Sequence, residues 1–348
     1  MANNIDRKES SMKHSDERRK TINTYILEKI SEKAPGLYQS VADTFGISTN
    51  TVNTYISKLV EEGIVKKHKR GEYELVSLEK DFTFSRSKGE LEIDTYPYDV
   101  CVADRLEEFS DNIRHIWLYS MSEMVNNVID HSGAKNMHVH VKSNYLTTAV
   151  TITDDGVGIF EKLKNYFSLP SLDEAICELF KGKLTTDRAN HSGEGIFFTS
   201  KMMDNFSITS GGKIFTTNKY DSEELREVIS PPNGTTVFME LSNFTNKSTK
   251  EIFDAYSDPE GAFTTTRIPL KNIFDTAPVS RSQAKRVCNR LDEFEEVILD
   301  FHGISWMGQG FAHQIFVVYA NAHPGISITA ENMCDSVLSM YKHVINSV

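Results

Sequence analysis

SEMVNNVIDHS, residues 122–132, sets an acid, an amide and an imidazole four residues apart: Glu123, Asn127 and His131. On a helix that advances about 100° per residue, the three fall within an arc of about 80° and share one face. Leu118, Met121, Met124, Val125, Val128 and Ile129 gather on the other side, so the hydrophobic period is helical and the polar stripe turns away from the core. Asn126 and Asp130, which flank the stripe, read as solvated positions. A stripe of this kind is either a solvated helix edge or a chemical site, and the chain that follows decides between them.

Downstream, TTAVTIT has the alternation of a strand and ends in DDGVGIF, where Asp154, Gly156 and Gly158 make D-x-G-x-G. HSGEGIFFTSKMMD places Gly193 and Gly195 just before a helix, and PPNGTTVFMEL places Gly234 and Thr235 before a strand. Each glycine element alone reads as a tight turn. Taken in order behind E-x-x-x-N-x-x-x-H, they resemble the GHKL ATPase family, which includes gyrase, bacterial histidine kinases and anti-sigma-factor kinases. The resemblance covers residues 95–243. It implies a Bergerat-type α/β sandwich that binds ATP and Mg²⁺.

The resemblance also implies roles, and each has a chemical reason. Glu123 takes the position of the general base, which accepts a proton from the water or hydroxyl attacking the γ-phosphate. Asn127 takes the position of the Mg²⁺ ligand, a neutral hard oxygen beside phosphates and waters. Asp154 would accept a hydrogen bond from the adenine amino group, and Thr235 would support the same end of the base. Gly156 and Gly158 let the backbone pass close to the nucleotide, while Gly193 and Gly195 open a helix whose first amides face phosphate oxygens. His131 matches a position often held by His in the anti-sigma branch. Between these elements, FEKLKNYFSLPSLDEAICELFKGKLTTDRANH holds the place of a lid, with a helix expected over 171–180. Lys181 and Lys183 near its end are read either as γ-phosphate sensors or as charges at a helix C-terminus.

Working outward, residues 18–76 read as three helices and a two-stranded wing, and resemble a winged helix-turn-helix module. Residues 18–75 carry ten Lys/Arg against seven Asp/Glu, a mildly basic stretch in a chain of net charge −11. Thr49, Asn50, Asn53 and Thr54, early in the third helix behind the candidate N-cap Ser48, stand where base edges are met in a major groove. Lys66, Lys67, Lys69 and Arg70 on the wing are placed to meet phosphate. The same fold also serves as a protein-interaction module. Residues 77–94 read as a linker, although the alternating FTF and LEI pieces within 77–99 could form a strand.

Residues 264–345 read as βαβαβα, with Ser280 and Gln283 spaced as a capping box, and resemble STAS-like domains. In the anti-sigma antagonists of that class, the turn after the D-F-x-G strand carries a phosphorylated serine. Here the turn is WMGQGF and Gln309 stands near that place, so a phosphoryl switch inside this chain is not expected. The fold class expected is therefore multidomain α+β and α/β.

The 348 residues are 39% hydrophobic, with no apolar run near the roughly 20 residues of a bilayer span and no secretory-type apolar segment at the start. A cytoplasmic protein is expected. Cys101, Cys177, Cys288 and Cys334 are scattered, which argues against structural zinc and a disulfide framework. Together these features point to an ATP-binding transcriptional regulator that hydrolyses ATP slowly and acts as a homodimer, with a protein partner for the last domain. Two other readings stay open: an anti-sigma-type serine/threonine kinase acting on a separate protein, and an ATP-gated interaction switch with an N-terminal adaptor.

Overall fold

The computed structural model describes residues 18–69, 71–184, 193–217, 233–274 and 276–347. The chain forms two compact units. The first holds the described residues up to Lys80 with Val141–Ala149 and Ser242–Phe244, and the second holds the remainder.

In the first unit, α1 (residues 18–31), α2 (Leu37–Phe45) and α3 (Thr49–Glu61) are followed by the antiparallel hairpin of β1 (Val65–Lys69) and β2 (Glu72–Leu75). Ile22, Ile26 and Ile30 of α1 recur at helical spacing and pack on Val41, Val52, Ile56 and Leu59 in one core. Ser48 caps α3, its hydroxyl accepting the Thr51 N–H at 3.1 Å. Tyr145 and Leu146 close the same core. Asn243 ties their loop, accepting the Thr148 hydroxyl at 2.9 Å and donating to the Asn144 carbonyl at 2.9 Å.

The second unit contains a six-stranded sheet in the order β3-β4-β5-β8-β6-β7. Its strands are β3 (Leu78–Ser85), β4 (Asn136–Ser143), β5 (Thr147–Asp154), β6 (Asn205–Ser210), β7 (Lys213–Thr216) and β8 (Thr235–Ser242). Along β5 every second residue is buried, from Thr148 through Val150 and Ile152 to Asp154, so the strand period itself delivers a carboxylate to the core face. Helix α4 (Asp111–Asn126) buries Ile113, Ile116, Trp117, Met121 and Met124 and packs on α7 (Gly195–Met202). Helices α5 (Ile159–Tyr166) and α6 (Leu172–Lys181) lie between β5 and α7 in the chain.

Three expectations need correction. The helix that carries the Glu-Asn-His stripe, expected over about 103–131, starts only at Asp111, because residues 96–106 form a helical run of their own. Beyond Asn126 the helix widens into a π-helical turn, Asn127–Ser132, that ends at Gly133. Residues 78–85, read first as linker with FTF as a possible strand, form the edge strand β3, joined to β4 by Asp81–His140 at 2.8 Å and Thr83–His138 at 2.9 Å. Its burial pattern is mostly exposed, which explains its polar composition.

The rest of the unit is a three-stranded parallel sheet in the order β11-β10-β9, from β9 (Thr265–Pro269), β10 (Glu296–Asp300) and β11 (Ser327–Glu331). Helix α8 (Arg281–Cys288) begins with the expected capping box of Ser280 and Gln283 and stops where Asn289 turns extended. The helical run from α9 (Gln309–His313) to residue 322 and α10 (Asp335–Ile345) complete the βαβαβα order. All four cysteines are free thiols.

Candidate functional site

A cavity of about 260 Å³ lies against the six-stranded sheet. Helix α4 and its π turn bring Glu123, Asn127 and His131 to it, the end of β5 brings Asp154 and Gly158, α7 brings Gly195 behind Gly193, and the start of β8 brings Thr235. Residues scattered over more than a hundred positions thus share one chamber. The π turn keeps Asn127 and His131 on the Glu123 side although the angular step there is smaller than in an α-helix.

At one end Asp154 is buried, and its Oδ1 accepts the Gly156 N–H at 2.8 Å. Burial pushes its carboxyl above the usual range, opposed by hydrogen bonds from Gly156 and Thr235. The Thr235 hydroxyl oxygen accepts the Ile159 N–H at 3.0 Å, which joins the start of β8 to the start of α5. Gly158 has φ 80°, and a Cβ there would sit 2.6 Å from the Ser210 Oγ, so glycine is required both by backbone and by space. Met124, Leu163, Ile208 and Val237 give the cavity apolar walls.

At the other end Gly195 packs directly on the Glu123 carboxylate, and any side chain at 195 would overlap it. Gly156 and Asp155 serve the frame: Asp155 accepts N–H groups from Lys135 at 2.7 Å and Asn136 at 3.0 Å and locks the entry to β4. Lys162, on the first turn of α5, lines the cavity and donates to the His131 carbonyl.

Lys181 and Lys183 are not at the cavity, which corrects their reading as phosphate sensors. Lys181 is buried, ion-paired with Glu178 at 2.7 Å, and donates to the carbonyls of Arg286 at 3.1 Å and Asn289 at 2.6 Å at the end of α8. Lys183 donates to the Glu293 carbonyl at 2.6 Å and lies over the Phe294 ring at 4.7 Å. Arg286 reaches back to Glu174 at 3.0 Å. Both lysines follow the lid helix as expected, but the packing of the parallel-sheet domain on α6 takes them. Leu179 and Leu184 from the same segment face the cavity instead.

The donor set fits a nucleotide with Mg²⁺: apolar walls, a buried acceptor at one end, and an amide oxygen, a carboxylate and a helix N-terminus at the other. Among the described residues no group of three His, Cys, Asp or Glu is placed to hold a metal ion.

In the first unit, Thr49, Asn50, Asn53 and Thr54 are all exposed at the start of α3. Asn50 and Thr54 line a groove with Arg19, Thr51, Tyr55 and Lys58, none of which was among the residues expected to meet DNA. Asn53 accepts the Tyr38 hydroxyl at 3.3 Å. Lys66, Lys67 and Lys69 are exposed on β1, with Lys69 paired to Glu72 at 2.8 Å. Arg70 lies outside the described residues.

Comparison with family models agrees with this architecture in three places. Residues 117–243 match the histidine kinase-, DNA gyrase B- and HSP90-like ATPase family, residues 37–66 match winged helix-turn-helix DNA-binding, and residues 283–338 match a STAS-like domain of unknown function. The chain is thus a multidomain protein with winged-helix, GHKL ATPase and STAS-like parts. A search of curated proteins found no match. Among the described residues no helix is long and apolar enough to cross a membrane.

Proposed function

We propose that this protein is an ATP-dependent transcriptional regulator, in which nucleotide in the GHKL cavity controls how the winged helix holds DNA. The observation that carries this reading is the convergence of Glu123, Asn127, Asp154, Gly195 and Thr235 on one cavity. Asp154 accepts the adenine amino group and Thr235 braces that end. Asn127 holds Mg²⁺, which supplies charge neutralisation to the phosphates. Gly158, Gly193 and Gly195 line the cavity offered to the nucleotide, whereas Gly156, expected there too, packs on Ser132 in the frame, and His131 borders the phosphate side. Glu123 takes the proton of the attacking water, so hydrolysis is its contribution and binding is not.

Coupling to DNA is supported by chain connectivity. Strand β5 ends in Asp154 and begins next to Tyr145 and Leu146, which belong to the winged-helix core, while β8 begins with Thr235 and leads into Asn243. Thr49, Asn50, Asn53 and Thr54 would meet bases, and Lys66, Lys67, Lys69 and Arg70 would meet phosphate. Calorimetric titration of the intact protein with Mg-ATP tests the first half: saturable binding is expected, and its absence refutes the nucleotide assignment. Transfer of the γ-phosphate to a separate protein in the same preparation would favour the kinase reading over the regulator.

A further inference from the structure

A triphosphate brings about four negative charges into a chamber that already holds Glu123 and Asp154. One divalent cation offsets two of them, so a protein cation is called for. Lys181 and Lys183 are committed to Glu178 and to carbonyls of the STAS-like domain. Among the described residues that line the cavity, Lys162 is the one Lys or Arg.

Its placement suits the task. Helix α5 starts directly after Gly158, so Lys162 is carried by the same D-x-G-x-G element that supplies Asp154. Phe160 and Leu163 are buried and anchor the helix, fixing the root of the lysine. The ammonium donates to the carbonyl of His131, which sets it beside the turn that bears Asn127. That bond uses one of three donors and leaves the ammonium the capacity to bind oxyanions. Partial burial lowers the ammonium's pKa from the ordinary lysine value, and the Asp130 carboxylate opposes that shift.

We propose that Lys162 is the cation that binds the phosphate chain of the nucleotide, a role that rests on the ATP reading above. Calorimetry with ATP, ADP and adenosine on the full-length wild type, Lys162→Gln, Lys162→Arg and Asp154→Asn tests it. Lys162→Gln keeps a donor for the His131 carbonyl but loses the charge. It should lose roughly tenfold to a hundredfold in ATP affinity, keep its adenosine affinity and melt within a few degrees of wild type. Lys162→Arg should stay within about threefold for ATP. Asp154→Asn should weaken all three ligands. If Lys162→Gln binds ATP as tightly as wild type, or loses adenosine and ATP equally, the inference is overturned while the ATP site stands. A wild type that binds none of the three ligands refutes the ATP reading itself, and the inference with it.

Discussion

At the scale of single residues, Asp154 and Glu123 lie in the same cavity but should separate cleanly by experiment. Asp154→Asn replaces a buried acceptor with an amide that also presents donors, and a loss of roughly tenfold to a hundredfold in ATP affinity is expected. Glu123→Ala should leave the affinity within about threefold and slow hydrolysis by about 10²-fold to 10⁴-fold. Calorimetry beside a phosphate-release assay checks the pair, and equal binding defects in both variants would contradict the assigned roles. Acid should act through Asp154 as well. Burial raises its carboxyl pKa, so the protonated form appears at a higher pH than for an ordinary aspartate, and ATP affinity should begin to fall on acidification at a correspondingly higher pH. The same raised pKa gives the fold a contribution that is complete below the unfolded pKa and lost as pH rises through the folded one. Acidification should therefore weaken binding through this group without unfolding the protein through it. The Glu-Asn-His stripe and the D-x-G-x-G acid were legible because period and residue type both constrain them. Lys162 was not, since a lysine in FEKLKNYF reads as the solvent face of any amphipathic helix.

At the scale of elements, the helix before the lid carries the least legible feature. Period alone places α6 correctly, with Ser171 as its N-cap, but it cannot tell which domain packs on each face. Glu178 and Lys181 sit at most 3% exposed, and a charged pair is rarely read as core from sequence. Breaking that pair leaves a buried carboxylate and two carbonyls short of a donor, so Lys181→Met should destabilise the protein by about 3 kcal/mol. Adding Glu178→Leu should recover only part of the loss, because the buried carboxylate is then gone but Asn289 Nδ2 and Arg290 lose it as a partner. Denaturant unfolding of the two variants and the double variant measures this, and a neutral Lys181→Met would mean that the pair holds nothing together. Strand β3 was only partly legible, from the alternation of FTF, because an edge strand with exposed faces needs little hydrophobic alternation and its ties to β4 are polar pairs such as Asp81–His140.

At the scale of the whole molecule, three domains were legible as a succession of motifs, while their grouping was not. The GHKL and STAS-like parts form one compact unit, since Lys181, Lys183 and Arg286 bond across their boundary in contacts that no motif encodes. The winged helix offers exposed Lys66, Lys67 and Lys69, and neutralising all three should reduce the slope of log affinity against log salt by about 2 to 3. Fluorescence anisotropy across a salt series reads that slope, and an unchanged slope would move the DNA contact elsewhere, toward the groove with Arg19 and Lys58. The most direct test of ATP control is the affinity of the full-length protein for DNA, measured with and without Mg-ATP, in wild type and in Asp154→Asn. Nucleotide should shift the wild-type affinity by roughly 5-fold to 150-fold, the usual range of coupling between sites, and should leave Asp154→Asn unmoved at the same concentration. Equal wild-type affinity in the two conditions, with ATP binding confirmed in the same sample, would contradict ATP control of DNA binding.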